Sequence, residues 1–208
     1  MALFRFTLRR EFPIRGDGVY LRLSEMRDFP QWSELRERSR AFLTPWEPLW
    51  PIDDLTRASF RYRVRRHFEE MARDECYSFL LFRDSDDALL GGLSLGHVRR
   101  GVSQAATLGY WMGEPYAGKG YMACGVRAAI AYAFERQGLH RIEAACVPNN
   151  EASRRLLERV GFRYEGFARS YLNINGHWRD HLLFALLDAD PRPLRAPEPQ
   201  RARAGAGE

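Results

Sequence analysis

The sequence predicts a mixed α/β fold in which a twisted, mostly antiparallel sheet of about six or seven strands is flanked by about four helices. Stretches with the two-residue alternation of strands are interleaved with stretches that have the spacing of amphipathic helices. Several of the strand-like stretches follow one another through short polar turns, which favours antiparallel pairing. One strand instead runs through a glycine turn directly into a helix. These observations indicate one central sheet covered by helices.

The first half of the chain contains four predicted strands and two predicted helices. Residues 18–26 alternate apolar and polar side chains, as a half-buried strand does. Apolar residues recur at helical spacing in residues 27–43 and 56–75, and the proline-broken aromatic segment 44–51 joins these two helices. An antiparallel meander is predicted from the β-rich runs 77–82, 89–98 and 105–112.

The second half of the chain contains two more helices and three more strands. A helix is predicted over residues 119–137, where Gly138 ends it, and a strand over 141–147. The next helix covers residues 151–160, with Asn150 as its N-cap and Gly161 after its end. The last two strands, 162–174 and 177–187, surround the dipeptide Asn175-Gly176, which type I′ hairpins favour.

The predicted elements occupy one domain at residues 18–190. An N-terminal extension is expected at residues 1–17. Residues 191–208 are rich in proline, arginine, alanine and glycine and lack periodicity, so we expect a disordered tail. The 208 residues, of which 45% are hydrophobic, are enough for one buried core.

Composition restricts the partners and the compartment. The net charge of +5 is modest and spread along the chain, so it predicts a basic surface that favours anions but no direct binding of nucleic acid. The three cysteines show no CxxC spacing, which argues against a disulfide framework and a zinc site, and no metal is expected. No apolar stretch reaches the length of a signal peptide or a membrane span. We therefore expect a cytoplasmic protein without a membrane partner, and its oligomeric state stays open.

The glycine turn is the first candidate site. The strand that ends at residue 112 continues through residues 113–117 into Gly118-Lys119-Gly120-Tyr121-Met122, where a helix begins. Glycines let backbone N–H groups approach a phosphate, and the helix N-terminus favours the anion. The GxGxxG and GK[ST] motifs are absent, so neither a Rossmann site nor a P-loop is predicted. A pyrophosphate site is the functional interpretation, and an ordinary turn is the alternative.

A second segment lies one strand later and contains Asn150, Ser153, Leu157 and the pair Gly161-Phe162. Together with the glycine turn it resembles the GNAT acetyltransferases, and within them the RimJ/RimL group, with RimJ the closer. Ala117, Gly120 and Met122 occupy the marked positions of the family's [RQ]xxGx[GA] motif, and Gly120 alone matches strictly. The second segment is similar to the pattern Nxx[SA]xxLxxxxGF. The resemblance implies the GNAT acyl-CoA N-acyltransferase fold and acetyl-CoA as co-substrate.

The resemblance also implies which residues contact acetyl-CoA. Tyr110, Trp111 and Met112 are expected to present backbone groups to the pantetheine, and residues 118–122, including Lys119 and Tyr121, to hold the pyrophosphate. Asn150 and Ser153 are expected to face the pantetheine arm and the sulfur. The structural alternatives are a plain helix cap for Asn150 and a solvated serine in the first helical turn for Ser153.

Acetyl transfer to an amine needs a proton donor for the departing thiolate and a base for the amine. Many members of the family have a tyrosine as the acid where this chain has Leu157, and the resemblance to RimL implies Ser153 as the substitute. Ala145 stands where some relatives have a glutamate base, and Glu143, two residues earlier on the same strand face, is the candidate base. The alternative for Glu143 is a strand-end charge paired with an arginine, and Glu47 and Asp180 are rival carboxylates for the role of base.

The expected acceptor is the N-terminal α-amine of Ala or Ser on a ribosomal or other protein. Deprotonating an α-amine with a pKa near 8 costs roughly 1 kcal/mol at pH 7, against about 4.6 kcal/mol for lysine. The acceptor slot is expected between the segment with Trp46 and Glu47 and the hairpin with Trp178 and Asp180. As alternatives, Trp46 and Trp178 are equally typical of a buried core, and Glu47 and Asp180 are typical of carboxylates that brace a loop. A small-molecule or antibiotic N-acetyltransferase and a non-catalytic module that binds CoA or the ribosome are the alternative functions.

Overall fold

One eight-stranded sheet forms the centre of the protein in a computed structural model that describes residues 12–191. The expectations for residues 1–11 and 192–208 lie outside the described part. The strands are β1 (Ile14–Arg15), β2 (Val19–Arg22), β3 (Tyr77–Arg83), β4 (Leu89–Arg99), β5 (Ala105–Met112), β6 (Arg141–Cys146), β7 (Arg163–Ile174) and β8 (His177–Leu187). The helices are α1 (Phe29–Arg38), α2 (Arg40–Leu43), α3 (Arg57–Ala72), α4 (Tyr121–Ala131) and α5 (Glu151–Arg159).

The strand order is β1-β2-β3-β4-β5-β6-β8-β7, and every neighbouring pair except β5 and β6 is antiparallel. The predicted mixed, mostly antiparallel sheet with flanking helices is confirmed. Two differences come from tertiary contacts. The short β1 lies within residues 1–17, which were expected to be an extension, and it pairs with β2. The first predicted helix is split at Ser39, whose buried hydroxyl accepts a hydrogen bond from the backbone N–H of Glu114.

Both faces of β3 are buried, and its successive residues point to opposite faces of the sheet. Phe79 and Leu81 of β3 join the larger core, to which α4 contributes Val126. Leu80 and Phe82 join a second core beneath α1 and α3. This burial on both faces explains why β3 reads as an almost continuous apolar run. No helix between residues 12 and 191 is both long enough and apolar enough to cross a membrane.

An opening in the sheet lies between β5 and β6. Their parallel pairing covers only residues 105–107 of β5 and 141–143 of β6. Farther along, β5 is paired with β4 and β6 with β8. The two strands therefore diverge toward their C-terminal ends, and the last residues of β5 have one edge free for another extended group.

The hairpin of β7 and β8 confirms the predicted turn. Ile174 pairs with His177, and both Asn175 and Gly176 have positive φ angles of 47° and 80°, as a type I′ turn requires. The backbone N–H of Asn175 donates to the carbonyl oxygen of Glu47 at 2.8 Å. This bond attaches the hairpin tip to the aromatic loop that follows α2.

Candidate active site

The glycine turn forms an uncapped helix N-terminus. Gly118 and Gly120 have φ angles of +73° and +85°, a region that residues with a Cβ atom rarely occupy. Gly120 is the N-cap of α4, and no side chain caps that helix. Space is open on the Cβ side of both glycines to at least 4 Å. The first-turn N–H groups and the helix dipole therefore favour an anionic group such as the pyrophosphate of CoA.

The other predicted residues of this turn differ in what they expose. Lys119 is exposed, and its Nζ lies 6.0 Å from the ring centre of Tyr116. Tyr121 is half-buried, with its hydroxyl 3.5 Å from Arg83 Nη1. The side chain of Met122 is part of the core and only 5% exposed. Met122 can therefore offer a ligand little beyond its backbone N–H.

The second segment brings a serine to the opening between the strands. Asn150 is the N-cap of α5, and its Oδ1 accepts a hydrogen bond from the backbone N–H of Ser153 at 3.0 Å. This bond holds Ser153 in the first turn of the helix. The Oγ atom of Ser153 lies 2.7 Å from the hydroxyl oxygen of Tyr110, which comes from β5 on the other side of the opening. Ser153 thus bridges the two diverging strands.

The groups next to Ser153 at the opening include a phenol and a thiol. Burial raises the pKa of Tyr110, so its phenol stays protonated at physiological pH. Burial also raises the pKa of the neighbouring Cys146 thiol, at the end of β6. Leu157, which stands where the family has a tyrosine, is fully buried in the core. The hydroxyl groups at this point therefore come from Ser153 and Tyr110.

A cavity of about 390 Å³ lies on the opposite face of the sheet. Its walls come from α1, α3, the loop after α2, and strands β3 to β5, and they include Arg36, Glu47, Trp50, Arg63, His67 and Trp111. Because side chains alternate along β5, Trp111 contacts Arg36 on this face, with the guanidinium 4.9 Å from the ring centre, while Tyr110, which also lines the cavity, directs its hydroxyl to Ser153 on the other. The end of β5 therefore contributes to both sites.

Two ion pairs line this cavity. Arg36 donates from Nη1 and Nη2 to the two carboxylate oxygens of Glu47, both at 2.7 Å, and Trp50 Nε1 donates to the same carboxylate at 2.8 Å. Arg63 donates to Asp54 at 2.6 Å. Each carboxylate is thus already neutralised by a guanidinium. The cavity favours an uncharged amine over an ammonium ion.

His67 is a neutral polar side chain in the wall of the cavity. Burial, together with the charges of Arg63 and Arg66, lowers the pKa of His67 to about 4. Its Nδ1 is buried without a hydrogen-bond partner, as are Arg36 Nε, Arg63 Nε and Ser24 Oγ, and all four residues line the cavity. At neutral pH the imidazole is therefore uncharged.

The remaining predicted residues lie elsewhere. Glu143 is in the part of β6 that still pairs with β5, and it accepts hydrogen bonds from Arg99 at 2.6 Å and Arg141 at 3.1 Å. Burial raises the pKa of Glu143, but these two bonds outweigh it and lower the pKa overall. Asp180 accepts a hydrogen bond from the backbone N–H of Ser170 within the hairpin. Trp46 and Trp178 are outside the cavity lining, and Trp178 is 66% exposed.

Sequence reasoning missed Arg36, Arg63 and His67 as wall residues and the side-chain role of Tyr110. The arginines and His67 lie in predicted helices among other charged residues, where they resemble a solvated helix face. Only the packing of α1 and α3 over the sheet turns them inward. Among residues 12–191, no group of three or more His, Cys, Asp and Glu side chains is arranged to hold a metal ion, and no disulfide joins the three cysteines.

Comparisons with known proteins identify the family and the fold. A family model described as Acetyltransferase (GNAT) domain matches residues 19–163. YjcK of Bacillus subtilis, a probable N-acetyltransferase, is 38% identical over 85% of this chain and 98% of its own length. The ribosomal protein uS5-alanine N-acetyltransferase of Escherichia coli is 36% identical over 86% of this chain and 92% of its own length. The solved structure of Mycobacterium smegmatis RimJ in complex with CoA-disulfide is 34% identical, with a TM-score of 0.78 over 82% of each chain.

Proposed function

The chain belongs to the GNAT acetyltransferase family, and we propose that it transfers acetyl from acetyl-CoA to the N-terminal α-amine of a ribosomal or other protein, at Ala or Ser. The predicted family and the predicted enzyme class, an acetyl-CoA-dependent N-acetyltransferase of the RimJ/RimL type, are confirmed. The choice of a protein N-terminus as acceptor is the proposal. The cytoplasm, where such an acceptor is made, is the proposed location.

The observation that carries the proposal is the placement of two sites on either side of one strand end. The uncapped N-terminus of α4 and the diverging strands fit the phosphates and the extended arm of acetyl-CoA. We assign Gly118, Gly120 and the backbone of residues 110–112 to this co-substrate, with Asn150 holding Ser153 in place. Ser153 is then the proton donor for the departing thiolate.

The charges of the cavity support an α-amine acceptor. Glu47 and Asp54 are each bound by an arginine, so neither is free to hold an ammonium ion. An acceptor that enters as the free base must lose its proton first, which costs roughly 1 kcal/mol for an α-amine at pH 7 and several times more for lysine. Glu143 stays the predicted base, although its two arginine partners stabilise its charged form.

A competition between acceptors tests this function. Thiol release from acetyl-CoA is measured with short peptides that begin with free Ala or Ser, with the same peptides blocked at the α-amine and carrying one lysine, and with a panel of small amines. We expect kcat/KM at least tenfold higher for the free N-termini. Preference for the lysine peptide or for small amines would contradict the proposal, and the latter result would favour a small-molecule N-acetyltransferase.

Two substitutions test the substrate carboxylates. If Glu47 or Asp180 pairs with the incoming amine, Glu47→Gln or Asp180→Asn raises the peptide KM and leaves the KM for acetyl-CoA unchanged. Both carboxylates already have partners within the protein. For Asp180→Asn we therefore expect little effect on the KM for the peptide or on the KM for acetyl-CoA. An unchanged peptide KM in both variants excludes direct recognition of the amine by these two residues.

A further inference from the structure

We propose that Tyr110 positions the hydroxyl of Ser153 for proton donation to the departing sulfur, acting from a strand on the opposite side of the opening. This inference rests on the proposed role of Ser153 as the acid. Tyr110 was expected to contribute backbone groups only. Its side chain gives the protein a phenol at this point, although α5 carries Leu157 where the family pattern has a tyrosine.

The geometry specifies one partner for the phenol. The Tyr110 hydroxyl oxygen lies 2.7 Å from Ser153 Oγ and 3.5 Å from the carbonyl oxygen of the same residue. Both side chains are half-buried, and Asn150 fixes the Ser153 backbone from the other side. Ser153 is therefore held at its backbone N–H by the cap and at its hydroxyl by Tyr110.

The direction of the hydrogen bond decides what the serine's own hydrogen can reach. Either oxygen of this pair can be the donor. In the proposed arrangement the protonated Tyr110 phenol donates and Ser153 Oγ accepts. The serine's own hydrogen can then point at a third atom, either the Cys146 thiol, which interacts with the Ser153 side chain, or the sulfur of a bound thioester. A hydroxyl that accepts one hydrogen bond becomes a better donor in the next, because the chain of bonds polarises cooperatively. Tyr110 thus orients Ser153 and makes its proton easier to transfer.

The transfer step balances without a further reactant. The amine nitrogen forms a bond to the acetyl carbon and gives up one proton, through water, to the base, for which Glu143 is the candidate. The carbon–sulfur bond breaks, and its electron pair stays on sulfur. Sulfur takes the proton of Ser153 Oγ, which regains one from solvent at the opening. Tyr110 keeps its own proton throughout, so it acts through Ser153.

Three variants test the inference: Tyr110→Phe, Ser153→Ala and the double variant. We expect Ser153→Ala to lower kcat by one to three decades, within the range of general acid catalysis, and Tyr110→Phe by about tenfold. The double variant is expected to equal Ser153→Ala, because a residue that acts only through another adds nothing once the other is gone. Affinity for CoA, measured by calorimetry, should stay within about threefold of wild type in all three.

The matched control is Tyr20→Phe. Tyr20 donates to Asp87 at 2.7 Å, the same length, but it lies on β2, away from the opening. It should leave kcat unchanged. Single-turnover rates in mixtures of H₂O and D₂O add a readout that a loss of packing would not move. We expect a normal solvent isotope effect in wild type that becomes larger in Tyr110→Phe, where proton donation limits the rate more.

Several outcomes would overturn the inference. One is an unchanged kcat in Tyr110→Phe. Another is a double variant in which the losses of kcat from the two single substitutions add up. The third is a loss of kcat in Tyr110→Phe that is matched by an equal loss of affinity for CoA. A larger loss in Tyr110→Phe than in Ser153→Ala would assign the acid to Tyr110 itself. The rates are measured with whichever acceptor the wild type uses fastest. Preference for a small amine would therefore contradict the proposed acceptor and still test Tyr110.

Discussion

Removing the carboxylate of Glu47 tests whether the cavity beneath α1 and α3 is held together by a buried ion pair. Arg36 and Glu47 are bound through two hydrogen bonds of 2.7 Å, and their side chains are only 9% and 18% exposed. Glu47→Ala leaves a guanidinium buried without its counter-charge. Breaking such a pair from one side costs about 3 kcal/mol, mostly because the remaining charge is desolvated.

Thermal unfolding measures this loss. In a domain of this size, 1 kcal/mol shifts Tm by about 2–4 °C, so Glu47→Ala should lower Tm by roughly 6–12 °C. The matched control is Glu37→Ala, which removes the partner of Arg40 in a pair whose side chains are 47% and 60% exposed. An exposed pair contributes little, so Tm should change by less than about 2 °C in the control.

A double substitution separates charge burial from lost contacts. Replacing both Arg36 and Glu47 by leucine removes the buried charges together, so most of the lost Tm should return. The peptide KM should be raised in the single and in the double variant, since the cavity wall has changed in both. If Glu47→Ala lowers Tm no more than Glu37→Ala, the buried pair of Arg36 and Glu47 does not stabilise the fold as expected. A double variant with a lower Tm than Glu47→Ala would contradict the expected cost of the unpaired buried charge.

Two further predictions concern the glycine turn and the buried histidine. Gly120→Ala places a Cβ at a φ of +85° and should cost about 1–2 kcal/mol and weaken CoA binding in calorimetry, whereas Gly166→Ala, at an open position without a positive φ, should do neither. The pKa of His67 is lowered to about 4 in the folded protein, so on acidification the imidazole is protonated first in the unfolded chain. The free energy of unfolding therefore falls as the pH drops from 6.5 toward 4, by up to about 3 kcal/mol. His67→Gln should flatten this slope in urea unfolding at pH 5 and pH 7.5, and an unchanged slope would exclude His67 as its source.

The sequence by itself determined the features that depend on local conformation. The seven longer strands, the hairpin turn at Asn175-Gly176 and the Asn150 cap all appear where local patterns predicted them. Each depends on residues a few positions apart, such as the asparagine that accepts from the N–H three residues later. The glycine turn belongs to this class, because only glycine adopts the φ angles of positions 118 and 120 without strain.

Only the tertiary structure decided how these elements form a site. Tyr110 and Ser153 are 43 positions apart, and they meet because β5 and β6 diverge and α5 begins beside the opening. The pairing of Arg36 with Glu47 depends on the packing of α1 over the sheet. An arginine in a helix has the same local pattern whether it faces solvent or a cavity. Only packing decides whether such a side chain is buried. It therefore decides whether Arg36 is a solvated charge or part of the cavity wall. It also decides whether Tyr110 contributes its backbone alone or its side chain as well, as a partner of Ser153.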